Sequence, residues 1–266
     1  MSESPSSVRR PSDLPLRAVA GLAMIAVALT ALTVGGLLFW LLCAVAAVFM
    51  MGEWAELGHT PSNHKRLGQY ALFVPLALMS SWGAGPGFLA LGLLAGAAFF
   101  LVIVTGRRML ASGVLYVGLP VFALLLIREQ QPDGLIYALW ALALVWACDI
   151  GAYFSGRTFG GPKLAPAISP NKTWAGLIGG VILASVFGAL MHHFYGLPIR
   201  LAVATPLLAV LAVLGDLYES WLKRRAGVKD SGTMLPGHGG VLDRLDGLVP
   251  VAPVAAVIVV LPLLLR

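Results

Sequence analysis

The chain has 266 residues, of which 59% are hydrophobic and only 11% charged, with a formal net charge of +6. Runs such as Ala18 to Gly52 carry no charge, which excludes a water-soluble globular domain; they are continuous rather than alternating, which excludes a spanning β-barrel. What remains is an all-α polytopic membrane protein, whose basic residues mark cytoplasmic loops rather than a nucleic-acid partner.

Residues 1–17, rich in Ser, Pro and Arg, read as a disordered cytoplasmic tail. The apolar run behind them is too long for the core of a cleaved signal peptide. Residues 18–266 form one integral-membrane domain, with amino-terminal spans over 18–127 and a carboxy-terminal half, 135–266, that carries the polar motifs. Ala18 to Gly52 is double length and breaks at Gly35-Gly36. A polar loop from Glu53 to Gln69 follows, in which Glu53 and Glu56 could reach the cytoplasmic site but are expected to be solvated. Tyr70 to Val104 is again double, broken at the Gly- and Pro-rich stretch from Trp82 to Gly87.

Further spans run from Ala111 to Ile127, Leu135 to Phe154, Trp174 to Tyr195, Leu201 to Ser220 and Leu248 to Leu265, making about nine. With the amino terminus in the cytoplasm, fifteen of the 18 Lys and Arg residues fall on that side, which is a decisive positive-inside bias. Cys43 and Cys148 lie inside apolar runs and read as packing residues.

Charge concentrates between the last two spans. Asp216 and Ser220, four apart, share a helix face at the end of the eighth span, while Asp243 and Asp246 stand just before the ninth. Three converging carboxylates, with Ser220 as a further oxygen, suit Mg²⁺. The plain alternative is a set of interfacial ion pairs with Lys223 and Arg244. Lys223, Arg224, Arg225 and Lys229 read either as a basic stop at a helix end or as phosphate ligands. The turn through Gly237, His238, Gly239 and Gly240 lets backbone N–H groups approach an anion. His238 either donates to a phosphate or nucleobase or braces the loop.

A second cluster runs from Asp149 to Trp174. Asp149 lies within a span and either pairs with a cation or lines the site. Ser169, Asn171, Lys172 and Thr173 read as a helix start with hydroxyls and one ammonium available to phosphate or ribose oxygens, or as simple capping. Gly176 and Gly180 form a small-residue face for tight helix packing. His192 and His193 sit far from both clusters.

Taken together, Ser220-x-Leu222-Lys223-Arg224, Lys229-Asp230-x-Gly232, Leu235-Pro236-Gly237-His238-Gly239-Gly240 and Asp243-Arg244-x-Asp246 resemble the hallmark of phosphatidate cytidylyltransferases, the CDP-diacylglycerol synthases. The resemblance extends through Asp149 to Tyr153, Gly156-Arg157, Gly160 and Ser169-Pro170-x-Lys172-Thr173-Trp174. It departs at Ala175, where the family usually has an acidic residue.

Membership would make 135–266 the catalytic half. It implies transfer of a cytidylyl group from CTP to phosphatidic acid at the cytoplasmic face of a bacterial inner membrane, by a homodimer using Mg²⁺ and a second, monovalent cation. On that reading Asp216, Ser220, Asp243 and Asp246 hold metal. Lys223, Arg224, Lys229 and Arg244 hold phosphates, and His238, Gly239 and Gly240 shape the nucleotide pocket. Readings from other classes are a cation-coupled transporter centred on Asp149 and Asp216, a CTP-dependent lipid-alcohol kinase, and an inactive lipid-binding relative.

Overall fold

The computed structural model describes residues 14–232, 234 and 239–264. Its elements, in order, are α1 (Leu14–Val34), α2 (Gly36–Leu57), α3 (Ser62–Leu78), α4 (Phe88–Thr105), α5 (Arg108–Arg128), α6 (Gly134–Phe159), β1 (Lys163–Ala165), β2 (Ser169–Thr173), α7 (Trp174–Tyr195), α8 (Ile199–Arg225), α9 (Leu242–Leu245) and α10 (Leu248–Leu264). Among the described residues six helices, α2 and α4 to α8, are long and apolar enough to cross a membrane, and Gly21–Val34 and Leu248–Pro262 form shorter apolar segments. Exposed Phe99, Ile103, Ile178 and Ile182 give α4 and α7 apolar outer faces, as a lipid surround requires.

Both expected breaks are present. Gly35 and Gly36 turn with φ of 71° and 50°, conformations that glycine adopts without steric cost. Arg128 fastens this break by donating to the Leu32 carbonyl at 2.8 Å and the Thr33 carbonyl at 3.1 Å, which are carbonyls the end of α1 leaves without helical partners. The second break separates α3 from α4 at residues 79–87.

Three expectations need correction. The polar stretch from Glu53 to Gln69 is mostly helical: α2 continues to Leu57 and α3 begins at Ser62, leaving residues 58–61 to connect them. Glu53, Trp54, Ala55, Glu56 and Leu57 contain no helix breaker, so the end of the apolar run does not end the helix. The tail is shorter than expected, because α1 starts at Leu14; residues 1–13 lie outside the described residues. The fold is also not purely helical, since β1 and β2 form an antiparallel hairpin that pairs Lys163 with Thr173 and Ala165 with Ser169. Five polar or imino residues before Trp174 bury little apolar surface of their own, and the backbone pairs locally instead.

Helices α6 and α7 make the closest pairing. A Cβ on Gly151 would stand 2.6 Å from the Gly179 carbonyl oxygen, and one on Gly180 would stand 2.8 Å from the Cys148 carbonyl oxygen. The small-residue face expected at Gly176 and Gly180 is therefore real, and α6 answers it with Gly151 and Gly156. Both cysteines are buried free thiols. His192 donates from Nδ1 to the Leu197 carbonyl, 2.6 Å away, so it braces the turn after α7.

Gly151→Ala is expected to lower the thermal unfolding midpoint in detergent, at a cost of about 1–3 kcal/mol. Gly92→Ala, which meets nothing within 4 Å, should leave the midpoint unchanged. Equal midpoints for the two variants would refute the packing argument.

Candidate active site

At one end of the bundle the ends of α2, α6 and α8 meet the hairpin and the described residues between Ala226 and Gly247. Glu53, only 6% exposed, is a buried link between them. Its carboxylate accepts from the Ser231 hydroxyl at 3.0 Å, the Val241 N–H at 2.8 Å and the Leu242 N–H at 2.7 Å. One side chain on α2 thereby pins both flanks of the glycine-rich loop.

Those bonds also explain part of the glycine pattern. A Cβ on Gly240 would fall 2.5 Å from Glu53 Oε2, and one on Gly232 would fall 2.9 Å from Oε1. Gly239 has φ of 83°, and its Cβ would meet Asp243 Oδ2 at 2.9 Å. These glycines make room for carboxylates of the protein itself. His238 lies outside the described residues.

Asp243 knits the loop to α8. Its Oδ1 accepts from Lys223 Nζ at 2.6 Å, and its Oδ2 accepts from the N–H groups of Ser231 at 2.9 Å and Gly240 at 2.8 Å. Burial alone would raise the Asp243 pKa, but the bonds from Lys223, Gly240 and Ser231 outweigh it and hold the carboxyl below the ordinary carboxylate value. Lys223 Nζ also lies 3.2 Å from Glu219, one turn earlier on α8 and fully buried. The ammonium is thus fixed between two carboxylates rather than solvated.

Asp216 faces the hairpin. It pairs with Lys172 Nζ at 2.5 Å and accepts from the Ser220 hydroxyl at 3.3 Å, so the two polar clusters of the sequence meet here. Nearby Asp246 accepts from the Gly247 N–H at 2.7 Å. Burial raises its carboxyl to about 7, with further upward pressure from the Asp216 and Asp149 carboxylates. Asp216 and Asp246 approach because residue 215 is glycine, whose Cβ would sit 2.5 Å from the Asp246 carbonyl oxygen and 2.7 Å from Pro250.

Asp216 and Asp149 are thus the acids that press on Asp246. Asp243, expected to join them, is turned to Lys223 and the loop. Among the described residues no three His, Cys, Asp or Glu side chains stand close enough together to hold a metal ion by themselves. Asp216, Asp246 and the Ser220 hydroxyl nonetheless offer oxygen donors of the kind a hard divalent cation takes, with water and substrate completing the set.

The remaining predicted residues are placed as follows. Thr173 caps α7, accepting from the Gly176 N–H at 3.0 Å, so the expected helix start stands at that residue. Ser169, Asn171 and Lys172 belong to β2 instead. Arg224 donates to the Ile168 carbonyl at 3.4 Å and ties α8 to the hairpin turn. Lys229 and Arg244 are exposed at the rim. Ala175 sits in the first turn of α7, and Lys172, which an acid there would brace, already has Asp216.

The cytidylyltransferase family pattern matches residues 15–261. The chain is a member of the cytidylyltransferase family. It is 40% identical over 247 residues to the phosphatidate cytidylyltransferase of Brucella suis biovar 1, a match covering 91% of each chain. It is 44% identical over 142 residues to the Bacillus subtilis protein of the same name, covering 52% of this chain and 53% of that one. The Haemophilus influenzae protein, also so named, is 50% identical over 130 residues, or 45% and 44% of the two chains.

Sequence reasoning missed Glu219 and favoured a solvated Glu53 over one that reaches the site. The signal for Glu53 was its place one residue before Trp54, on a helix whose buried positions Ala47, Met50, Trp54 and Leu57 recur at helical spacing. For Glu219 the signal was its spacing of four from Lys223.

Glu53→Ala should leave the Val241 and Leu242 N–H groups without their acceptor, each costing about 1–3 kcal/mol if kept dry. Faster hydrogen exchange at those two amides is the expected result; unchanged exchange would show the clamp to be unimportant. A pH effect follows from Asp243. Its folded pKa is depressed, so its network stabilises the fold at neutral pH and loses that contribution as pH falls through the carboxylate range. Thermal midpoints followed from about pH 7 to about pH 3 should fall less steeply in Asp243→Asn than in the parent chain.

Proposed function

We propose that the chain transfers a cytidylyl group from CTP to phosphatidate, forming CDP-diacylglycerol and pyrophosphate. The observation that carries this reading is the end-to-end similarity to the Brucella suis phosphatidate cytidylyltransferase, 40% identical over 91% of each chain. The pairing of Lys172 with Asp216 supports it by bringing the two motif clusters to one place.

A phosphate monoester is already a nucleophile near neutral pH. One of its oxygens attacks the α-phosphorus of CTP, a new P–O bond forms, and the bond to the β-phosphate oxygen breaks to release pyrophosphate. Positioning and charge neutralisation therefore carry the catalysis. Lys223, fixed by Glu219 and Asp243, presents an ammonium to the phosphates. Lys172 serves from the hairpin side, and Arg224, Lys229 and Arg244 extend the positive rim.

Asp216, Asp246 and Ser220 would hold Mg²⁺, which, when bound, offsets charge on the triphosphate. Asp243 contributes chiefly by setting Lys223. A monovalent cation completes the cofactor set that the resemblance implies. His238 with Gly239 and Gly240 would border the nucleotide.

The same reading places about nine spans in a bacterial inner membrane, the amino terminus and the site in the cytoplasm, and two copies in a homodimer. Its support is the positive-inside bias and the gathering of Lys65, Lys172, Lys223 and Arg224 at one end of the bundle. The relatives' shared name favours nucleotidyl transfer over cation-coupled transport or phosphorylation of a lipid alcohol.

Purified protein given phosphatidate, radiolabelled CTP and Mg²⁺ should yield a CDP-lipid and pyrophosphate. No CDP-lipid from folded protein would sink the proposal. Asp246→Asn is expected to reduce turnover at least about 100-fold, the scale of losing one transition-state electrostatic contact. Near-parental turnover would remove Asp246 from the metal site.

A further inference from the structure

Behind the acidic site, on the other side of α8, a cavity of about 570 Å³ opens between the end of α2, the start of α5 and the end of α8. Asp216, Ser220 and Lys223 follow one face of α8 at helical spacing. Tyr218, Trp221 and Arg225 follow the opposite face and line the cavity. With a helix about 10–12 Å thick between them, the two sites are separate.

The cavity is chemically two-sided. Arg108 and Arg225 supply guanidinium groups, and none of its described lining residues is acidic. Its wall is aromatic: Trp54 stacks on Tyr116 with centroids 4.3 Å apart, and Tyr218 stacks on Trp221 at 5.9 Å, with the Arg225 guanidinium 5.5 Å from the Trp221 ring centre. Below this wall exposed Leu214 continues the Tyr218–Trp221 stripe on α8, and exposed Leu115 continues the Arg108–Ser112 stripe on α5.

His59 stands at the lip with φ of 48°. The Thr60 N–H to Ala55 carbonyl and His59 N–H to Glu56 carbonyl bonds, both 2.9 Å, make this the left-handed helix ending at which glycine is usual. An imidazole is held there despite the backbone cost.

We propose that this cavity binds an anionic glycerophospholipid, its phosphate between Arg108 and Arg225 and an acyl chain along Leu115 and Leu214. Two cations above an aromatic belt and an apolar slot match a headgroup at interfacial depth. The bound lipid bridges α5 to the end of α8 that carries Lys223. It is additional to the lipid consumed in the proposed reaction, and it does not rest on that reaction.

The test uses the full chain in detergent, with lipid retention read by native mass spectrometry and no turnover required. Phosphatidylglycerol should be retained about fivefold better than phosphatidylcholine, and the preference should vanish in Arg108→Gln/Arg225→Gln. Ser112→Trp, which fills the cavity, should remove it as well. His59→Gly, which suits the left-handed backbone, should keep the thermal midpoint while weakening the preference. Equal retention of the two lipids, or an unchanged preference in the double variant, would overturn the proposal. So would displacement of phosphatidylglycerol by inorganic phosphate alone, which would assign the cavity to a soluble anion.

Discussion

A carboxylate buried near a membrane must be answered by donors, and in this protein that demand organises one whole end of the bundle. Glu53 has little access to water and draws its hydrogen bonds from a segment nearly two hundred residues later in the chain. The loop between α8 and α9 cannot move off without leaving that charge unanswered. Asp243 repeats the arrangement at shorter range, binding the same loop to Lys223. Two acids therefore build the floor on which the remaining charges are displayed.

That arrangement changes the meaning of the motif glycines. A glycine-rich turn beside basic residues invites a phosphate-cradle reading, since bare backbone can approach an anion. Around Gly232, Gly239 and Gly240 the anions that come close are Glu53 and Asp243. In the proposed reaction substrate charge would fall to the ammonium and guanidinium groups instead.

Helix positions were legible in the sequence because apolar runs and Gly/Pro breaks act locally: Gly35-Gly36, Trp82 to Gly87 and the span from Trp174 to Tyr195 all stand where the residues place them. The polar connections were harder to read. Glu53 lies just past an uncharged run and looks like a solvated flank, because its partners lie in the distant loop. The hairpin at 163–173 has too few apolar residues to show alternation. Asp243 and Asp246, only three apart, look like a pair, yet one faces Lys223 and the other faces Asp216 and Asp149. Which way each acid turns depends on tertiary neighbours that no local pattern encodes.

The contact at Gly215 has a mechanical side. The Gly215 backbone meets the Asp246 carbonyl and the stiff Pro250 ring there, so the separation between Asp216 and Asp246 is set by how closely α8 lies against the start of α10, with no flexible side chain to absorb a shift by changing rotamer. Any force that tilts or slides one of these helices against the other acts directly on the spacing of two like charges. In a bilayer such forces arise from thickness and lateral pressure, so the repulsion between these two carboxylates is exposed to the physical state of the lipid around them.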